Sequence, residues 1–183
     1  MKNNGLRPVA LLGLLAIAGS GRDLAVRDHG EALVVSTEQS RATVVVFVSA
    51  VCPISDSYVE RLNALYKWWS ARGVRFLFVN PNVNERQAQI DTYAKANGLA
   101  FPVYTDPGGR LAGQLQAQMT PEVFVFDAPG TLRYHGRIDD AVNTARVRSH
   151  DLRDVLEALE SGRLESTLRE TRAFGCTIKR SRP

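Results

Sequence analysis

Cys52 is the residue of this chain best placed to do chemistry. It stands in the segment Val51-Cys52-Pro53-Ile54-Ser55, where an apolar strand-like run gives way to a helical one. Unpaired backbone N–H groups and the helix dipole favour negative charge there, and the thiolate is the reactive form of cysteine. Pro53 suits a first helical turn, and the Ser55 hydroxyl is three residues from Cys52, within reach of its sulfur. The alternative is an inert buried cysteine, because free cysteines are often buried.

A second marker is the segment Met119-Thr120-Pro121-Glu122, which stands directly before another strand-like run. A proline that opens a strand is compatible with a cis peptide bond, since cis bonds in folded proteins are nearly all X-Pro bonds. An ordinary trans proline at a strand start is also common. Pro121 by itself therefore decides little.

The elements that position these residues alternate between strands and helices. Residues 43–48 form a continuous β-branched run, which predicts a strand buried on both faces, and residues 54–71 carry an apolar stripe at helical spacing. A second strand at 74–79 and a second helix at 85–96 repeat the pattern. This alternation indicates a parallel sheet with crossover helices.

The flanking segments predict a hairpin at each side of this unit and a final helix. The predicted elements are strands at 23–26 and 32–35, a short helix at 110–118, strands at 123–126 and 132–135, and a helix at 149–161. Residues 162–183 form a tail with little periodicity and contain Cys176. The length of 183 residues suits one domain, residues 21–161, together with this tail and a leader.

The N-terminus has the features of a signal peptide at residues 1–20. Lys2 and Arg7 precede the apolar run 9–18, and Ala16-Ile17-Ala18 matches a cleavage site. We therefore expect export to a bacterial periplasm, an oxidising compartment, with no stable membrane insertion once the leader is cleaved. An uncleaved anchor or a buried N-terminal helix is the alternative.

Composition argues against two classes of partner. The net charge is +4, or +2 without Lys2 and Arg7, and no dense Lys/Arg run interleaves with aromatic residues, so nucleic acid is not expected. The histidines His29, His135 and His150 are far apart and no C-x-x-x-C motif is present, so we predict no metal site and no cofactor.

In their order and spacing these features resemble the thioredoxin-like superfamily, and within it the AhpC/TSA-like redoxins of exported bacterial proteins. The resemblance covers about residues 22–180 and is carried by segments 47–55, 120–121, 123–140 and 174–180. It implies a thioredoxin-like α/β fold with a central mixed β-sheet flanked by helices and an N-terminal hairpin extension. It also implies that Thr120-Pro121 is a cis peptide that packs against Cys52 and, with Pro53, binds the partner's disulfide.

Three departures from the relatives affect the expected chemistry. Thioredoxins have C-x-x-C, whereas Ser55 stands at the second position here, so the motif holds one thiol. Ser49 matches the Thr or Ser that peroxiredoxins have three residues before the reactive cysteine. Val45 stands where peroxiredoxins have a proline, and Pro121 stands where their peroxide-binding arginine aligns. Efficient peroxidase activity is therefore not the first expectation.

Cys176 is the only other cysteine, and disulfide exchange at Cys52 needs a second thiol. We expect the tail to fold back so that Cys176 pairs with Cys52 as a distant resolving thiol. Two alternatives stay open: a purely structural bridge, or a Cys176 that is free on the tail or paired with another chain.

The sequence thus favours a thiol–disulfide oxidoreductase with Cys52 as the nucleophile and Cys176 as the resolving thiol. Its partners would be disulfides and thiols of proteins or small molecules. The first alternative is an antioxidant thiol peroxidase, in which Cys52 attacks peroxide to form a sulfenic acid and Ser49 polarises the peroxide. The second is a non-enzymatic binding or metal-carrier module whose cysteines only stabilise the fold.

Overall fold

A mixed sheet forms the centre of the molecule. The computed structural model describes residues 21–163 and 167–181, so the predicted signal peptide lies outside the described residues. The strands are β1 (Asp23–Asp28), β2 (Glu31–Ser36), β3 (Ala42–Phe47), β4 (Val74–Asn80), β5 (Val103–Thr105), β6 (Met119–Thr120), β7 (Glu122–Asp127), β8 (Leu132–Gly136), β9 (Arg169–Glu170) and β10 (Cys176–Thr177). The helices are α1 (Pro53–Ser57), α2 (Val59–Ser70), α3 (Gln87–Ala96), α4 (Arg110–Gln114) and α5 (Asp151–Glu160).

Eight strands lie in the order β2-β1-β5-β4-β3-β7-β8-β9, and β6 and β10 form a separate two-stranded sheet. β3 and β4 run parallel, as do β4 and β5, whereas β7 runs antiparallel to β3 and to β8. The predicted N-terminal hairpin is β1–β2, which joins the sheet beside β5. The prediction of a central mixed sheet flanked by helices is therefore confirmed.

Both faces of β3 are buried, as its continuous β-branched sequence predicts. Val44 and Val46 face one apolar cluster, while Val45 and Phe47 face the other. Helices α2, α3 and α5 cover the first face, and α4 covers the second together with Ile178 from the tail. The loop that carries Cys52 follows the C-terminal end of β3, at the end of the sheet where the parallel strands β3 and β4 both terminate.

The single helix predicted at 54–71 is in fact two, α1 and α2, with a break at Tyr58. The Tyr58 backbone N–H donates to the carbonyl of Ser55, a tighter turn than an α-helix makes. Its buried hydroxyl donates to a carboxylate oxygen of Asp139 at 2.7 Å. The apolar stripe continues across this break, so the sequence pattern does not show it.

Three further helices are shorter than predicted, and the tail contains two short strands. The helix expected at 149–161 spans Asp151–Glu160. The helix expected at 110–118 ends at Gln114, because Gln116 adopts a left-handed conformation with φ of 58°. The helix expected at 85–96 begins at Gln87, because the Glu85 side chain is buried in contacts with loops. The tail forms β9, which pairs with β8, and β10. In the described ranges no helix is long and apolar enough to cross a bilayer.

Candidate active site

Cys52 lies at the start of α1 and is joined to Cys176 by a disulfide bond. The two Cα atoms are 5.9 Å apart, although 124 positions separate the residues in sequence. Cys52 is only 3% exposed, and its Sγ accepts a hydrogen bond from the Ser55 backbone N–H at 3.4 Å. The carbonyl oxygen of Thr120 lies 3.1 Å from the same sulfur. The predicted pairing of the two cysteines is thus present in the structure.

The tail reaches Cys52 as a short strand. In the antiparallel pair β6–β10, Cys176 lies opposite Thr120 and Thr177 lies opposite Met119. The Thr120 hydroxyl donates to the carbonyl of Cys176 at 3.4 Å, and the Ile178 N–H donates to the carbonyl of Gln118 at 2.9 Å. The Thr120–Pro121 peptide bond is cis. Residues 118–120 therefore present their edge to the segment that contains Cys176.

Four other predicted site residues, Pro53, Ser55, Thr120 and Pro121, lie near this disulfide in the two segments that flank it. Pro53 is the first residue of α1. Ser55 is buried, and it is its backbone N–H that contacts the Cys52 sulfur. The Ser55 hydroxyl has no hydrogen-bond partner among the described residues. The Thr120 carbonyl contacts the Cys52 sulfur, and Pro121 follows Thr120 across the cis bond, so the structure brings the two predicted segments together.

Ser49 lies in the loop between β3 and α1, and its hydroxyl is engaged by a buried acid. It donates to Glu85 Oε1 at 2.6 Å and accepts the Val51 N–H at 3.3 Å. Because this hydroxyl's proton points to a carboxylate, it is not directed at a ligand on Cys52.

Glu85 is a site residue that the sequence interpretation missed. It is 8% exposed, and its carboxylate accepts four hydrogen bonds from two stretches of chain, residues 49–50 and residues 80–82. The donors are the Ser49 hydroxyl, the Ala50 N–H, the Asn80 amide and the Asn82 amide. Asn80 ends β4, and Asn82 and Glu85 lie in the loop that follows it. Polar residues at the end of a buried strand were the sequence signal that could have identified them.

Glu122 and His135 hold the segment that leads to Thr120, whose carbonyl contacts the Cys52 sulfur. Glu122 Oε2 accepts the N–H groups of Gln118 and Met119 at 2.6 and 2.8 Å. Its Oε1 pairs with His135 Nε2 at 2.6 Å, and this hydrogen bond raises the pKa of His135 above its ordinary value. Within residues 21–163 and 167–181, no cluster of three or more acidic, histidine or cysteine side chains could hold a metal.

Chemically, the arrangement holds one sulfur at a helix start and delivers a second on a strand. A thiolate at Cys52 would receive the Ser55 N–H, which stabilises negative charge on sulfur. The Cys52–Cys176 bond can accept two electrons and open to two thiols.

We compared the sequence with family profiles and curated proteins, and the fold with solved structures. The profile of the AhpC/TSA family matches residues 22–135. No curated protein matches the sequence.

Among solved structures, a hypothetical protein of Sinorhizobium meliloti has 27% identity and a TM-score of 0.74, over 87% of this chain and 92% of that one. An uncharacterised conserved protein of Geobacillus kaustophilus has 25% identity and a TM-score of 0.73, over 86% and 88%. The thioredoxin domain of a thiol-disulfide oxidoreductase from Bacteroides vulgatus has 13% identity and a TM-score of 0.52, over 61% and 81%. The fold is thioredoxin-like.

Proposed function

The chain belongs to the AhpC/TSA family, and on that premise we propose that it is a thiol–disulfide oxidoreductase with Cys52 as nucleophile and Cys176 as resolving thiol. The observation that carries the proposal is the disulfide itself. It joins a cysteine at a helix start to one delivered from 124 residues away, beside Thr120 and Pro121. A bridge that only stabilised the fold would not require the helix start and the adjoining strand edge.

The proposed reaction begins with the reduced protein. The Cys52 thiolate attacks a partner disulfide, forms a mixed disulfide, and releases one partner thiolate. The Cys176 thiolate then attacks the Cys52 sulfur, which closes the observed bond and releases the second partner thiolate. The partner disulfide gains two electrons, and the two cysteines of this chain lose two. The reverse sequence oxidises a partner dithiol.

The edge of β6 is the proposed place for the partner's backbone. In the disulfide form, the tail occupies that edge with Cys176 opposite Thr120. A partner segment in extended conformation would use the same backbone groups while its sulfur is bonded to Cys52. The tail would then replace the partner as the second step proceeds.

The peroxidase alternative has less support. The Ser49 hydroxyl, which would have to polarise peroxide, donates to Glu85 instead. Export to the periplasm remains a prediction that rests on the leader sequence.

Turnover of two oxidants by three proteins tests the proposal. Wild type, Cys52→Ser and Cys176→Ser are reduced and mixed with a disulfide-bonded peptide or with hydrogen peroxide in a stopped-flow instrument. We expect wild type to reduce the peptide faster than peroxide. Cys52→Ser should be inactive, and Cys176→Ser should stop at a mixed disulfide visible by mass spectrometry. Undiminished peptide reduction by Cys52→Ser would refute the proposal, and faster reaction with peroxide would favour the peroxidase.

A further inference from the structure

We propose that Glu85 is a positioning residue for the Cys52–Cys176 disulfide, because it fixes the loop that carries Cys52 and, through Asn82, the tail that carries Cys176. The inference deepens the proposed function and rests on it for its biological meaning. The geometry on which it depends is that of the disulfide form alone. Glu85 does not touch the reacting sulfurs and acts through the segments on either side of them.

The first connection is to the loop between β3 and α1. Ala50 donates its backbone N–H to Glu85 Oε2 at 2.7 Å, and the Ser49 hydroxyl donates to Oε1 at 2.6 Å. Both residues directly precede the Val51-Cys52 step. Hydrogen bonds to a buried carboxylate are shorter and stronger than neutral ones. Glu85 therefore restricts the path by which the chain arrives at Cys52.

The second connection is to the tail and passes through Asn82. The Asn82 side chain donates its amide N–H to Glu85 Oε1 at 2.6 Å and accepts the Lys179 backbone N–H at 2.7 Å. The Val83 N–H also donates to the carbonyl of Lys179 at 3.0 Å. Lys179 is three residues after Cys176, so these bonds hold the tail just beyond the disulfide.

Glu85 determines which way the amide group of Asn82 points. A carboxylate only accepts, so it requires the amide nitrogen of Asn82 on its own side and leaves the amide oxygen for Lys179. In Glu85→Gln one carboxylate oxygen becomes an NH₂ group, while all four partners are donors. The NH₂ group of glutamine would face either the Ala50 N–H or the Asn82 amide N–H, and it can accept a hydrogen bond from neither. Either the Cys52 loop or the side-chain orientation of Asn82 that binds the tail would lose its hydrogen bond.

The test is the equilibrium of the full chain with glutathione. Reduced protein and one oxidised glutathione give the protein disulfide and two reduced glutathione molecules, and the constant measures how well the two cysteines are held together. We expect Glu85→Gln to lower this constant at least tenfold, which corresponds to about 1.4 kcal/mol. Asn82→Ala should lower it as well. The double variant should lose less than the sum of the two single losses, because Glu85 and Asn82 share the connection to the tail.

Asp106→Asn is the matched control. Asp106 is also a buried acid that accepts backbone N–H groups, those of Leu111 and Ala112, and neither group belongs to a segment that carries a cysteine. We expect this variant to be less stable in both redox forms with an unchanged glutathione constant.

A structural role without positioning would give a different result. Glu85→Gln would then lower the free energy of unfolding equally in the oxidised and reduced proteins, and the glutathione constant would stay at the wild-type value. That outcome overturns the inference. If Glu85→Gln does not fold, Asn82→Ala alone decides, since an unchanged constant in that variant also overturns it. The glutathione constant can be measured even in a protein that does not turn over a substrate. An inactive wild type would therefore refute the proposed function without deciding the role of Glu85.

Discussion

Gly175 makes a close backbone approach beside the disulfide. A Cβ atom at this position would overlap the carbonyl of Thr120 and crowd the nitrogen of Pro121, and both are backbone groups that cannot rotate away. The next residue is Cys176, whose sulfur must reach Cys52 from β10. The missing side chain at Gly175 therefore allows the tail to lie close enough to β6 for the bond to form.

Gly175→Ala should weaken the Cys52–Cys176 disulfide. We expect the glutathione constant to fall roughly 5- to 150-fold, since forcing an extra carbon into a filled site costs about 1–3 kcal/mol. Gly113→Ala in α4 is the control, because a Cβ there meets nothing within 4 Å. Alanine in a helix is favoured over glycine by about 0.5–1 kcal/mol, so this control should keep the constant and gain slightly in stability. Equal constants for both variants and wild type would contradict the steric explanation.

At the scale of elements, β6 is a two-residue strand that depends on support from both sides. β10 pairs with its edge, while the Glu122 carboxylate accepts the N–H groups of Gln118 and Met119. His135 on β8 stacks on Phe124 with ring centroids 4.3 Å apart and holds Glu122 in place. The position of Thr120 beside the sulfur therefore depends on an ion pair in the main sheet.

That ion pair predicts a pH dependence of stability. The hydrogen bond to Glu122 raises the pKa of His135 in the folded protein, and Glu170 also faces its Nδ1 at 3.6 Å. A raised histidine pKa contributes stability that is full below the unfolded value of about 6.5 and is lost as pH rises through the folded pKa. Between pH 6 and 8 the free energy of unfolding of wild type should therefore fall more steeply than that of His135→Gln.

Urea unfolding of the two proteins at several pH values measures this difference. His29 also has a raised pKa, from Asp28 and Asp91, but both proteins keep it and its contribution cancels. Parallel stability curves for wild type and His135→Gln would contradict the prediction.

The sequence predicts those elements whose apolar pattern is local. The β-branched run of β3, the stripe of α2 and the hairpin β1–β2 follow from residue spacing alone. The order of the Cys52 and Thr120-Pro121 segments supports the family resemblance from which the candidate site residues were predicted. The contacts of Glu85 with Ala50, and of Asn82 with Lys179, join residues 35 and 97 positions apart. No local pattern encodes such contacts, so they required the structure.

At the scale of the whole molecule, the tail is an integral part of the fold. Ile178 is 4% exposed and packs in the cluster that contains Val45 and Phe47 of the central strand. Phe174, on the other side of Cys176, packs against the cluster that contains Tyr58. The disulfide thus lies between two apolar anchors, one in each layer of the core.

Reduction of the disulfide should lower global stability. Closing a loop of about 100 residues is worth about 4.7 kcal/mol in the chain-entropy model, and the loop here spans 124 positions. In urea unfolding, we expect the free energy of unfolding of oxidised wild type to exceed that of the Cys52→Ser/Cys176→Ser double variant by up to about 4–5 kcal/mol. Hydrogen exchange should show the loss of protection concentrated in residues 118–120 and 176–180. Equal unfolding midpoints for the two proteins would contradict this expectation.

The position of Cys176 after β9 also has a consequence for biosynthesis. Every strand of the eight-stranded sheet precedes it in the chain, and a ribosome that adds about 5–20 residues per second needs roughly 6–25 s to advance from Cys52 to Cys176. During that interval the nascent chain contains Cys52 without its partner. The bond can therefore form only in a chain whose eight-stranded sheet has been completely synthesised.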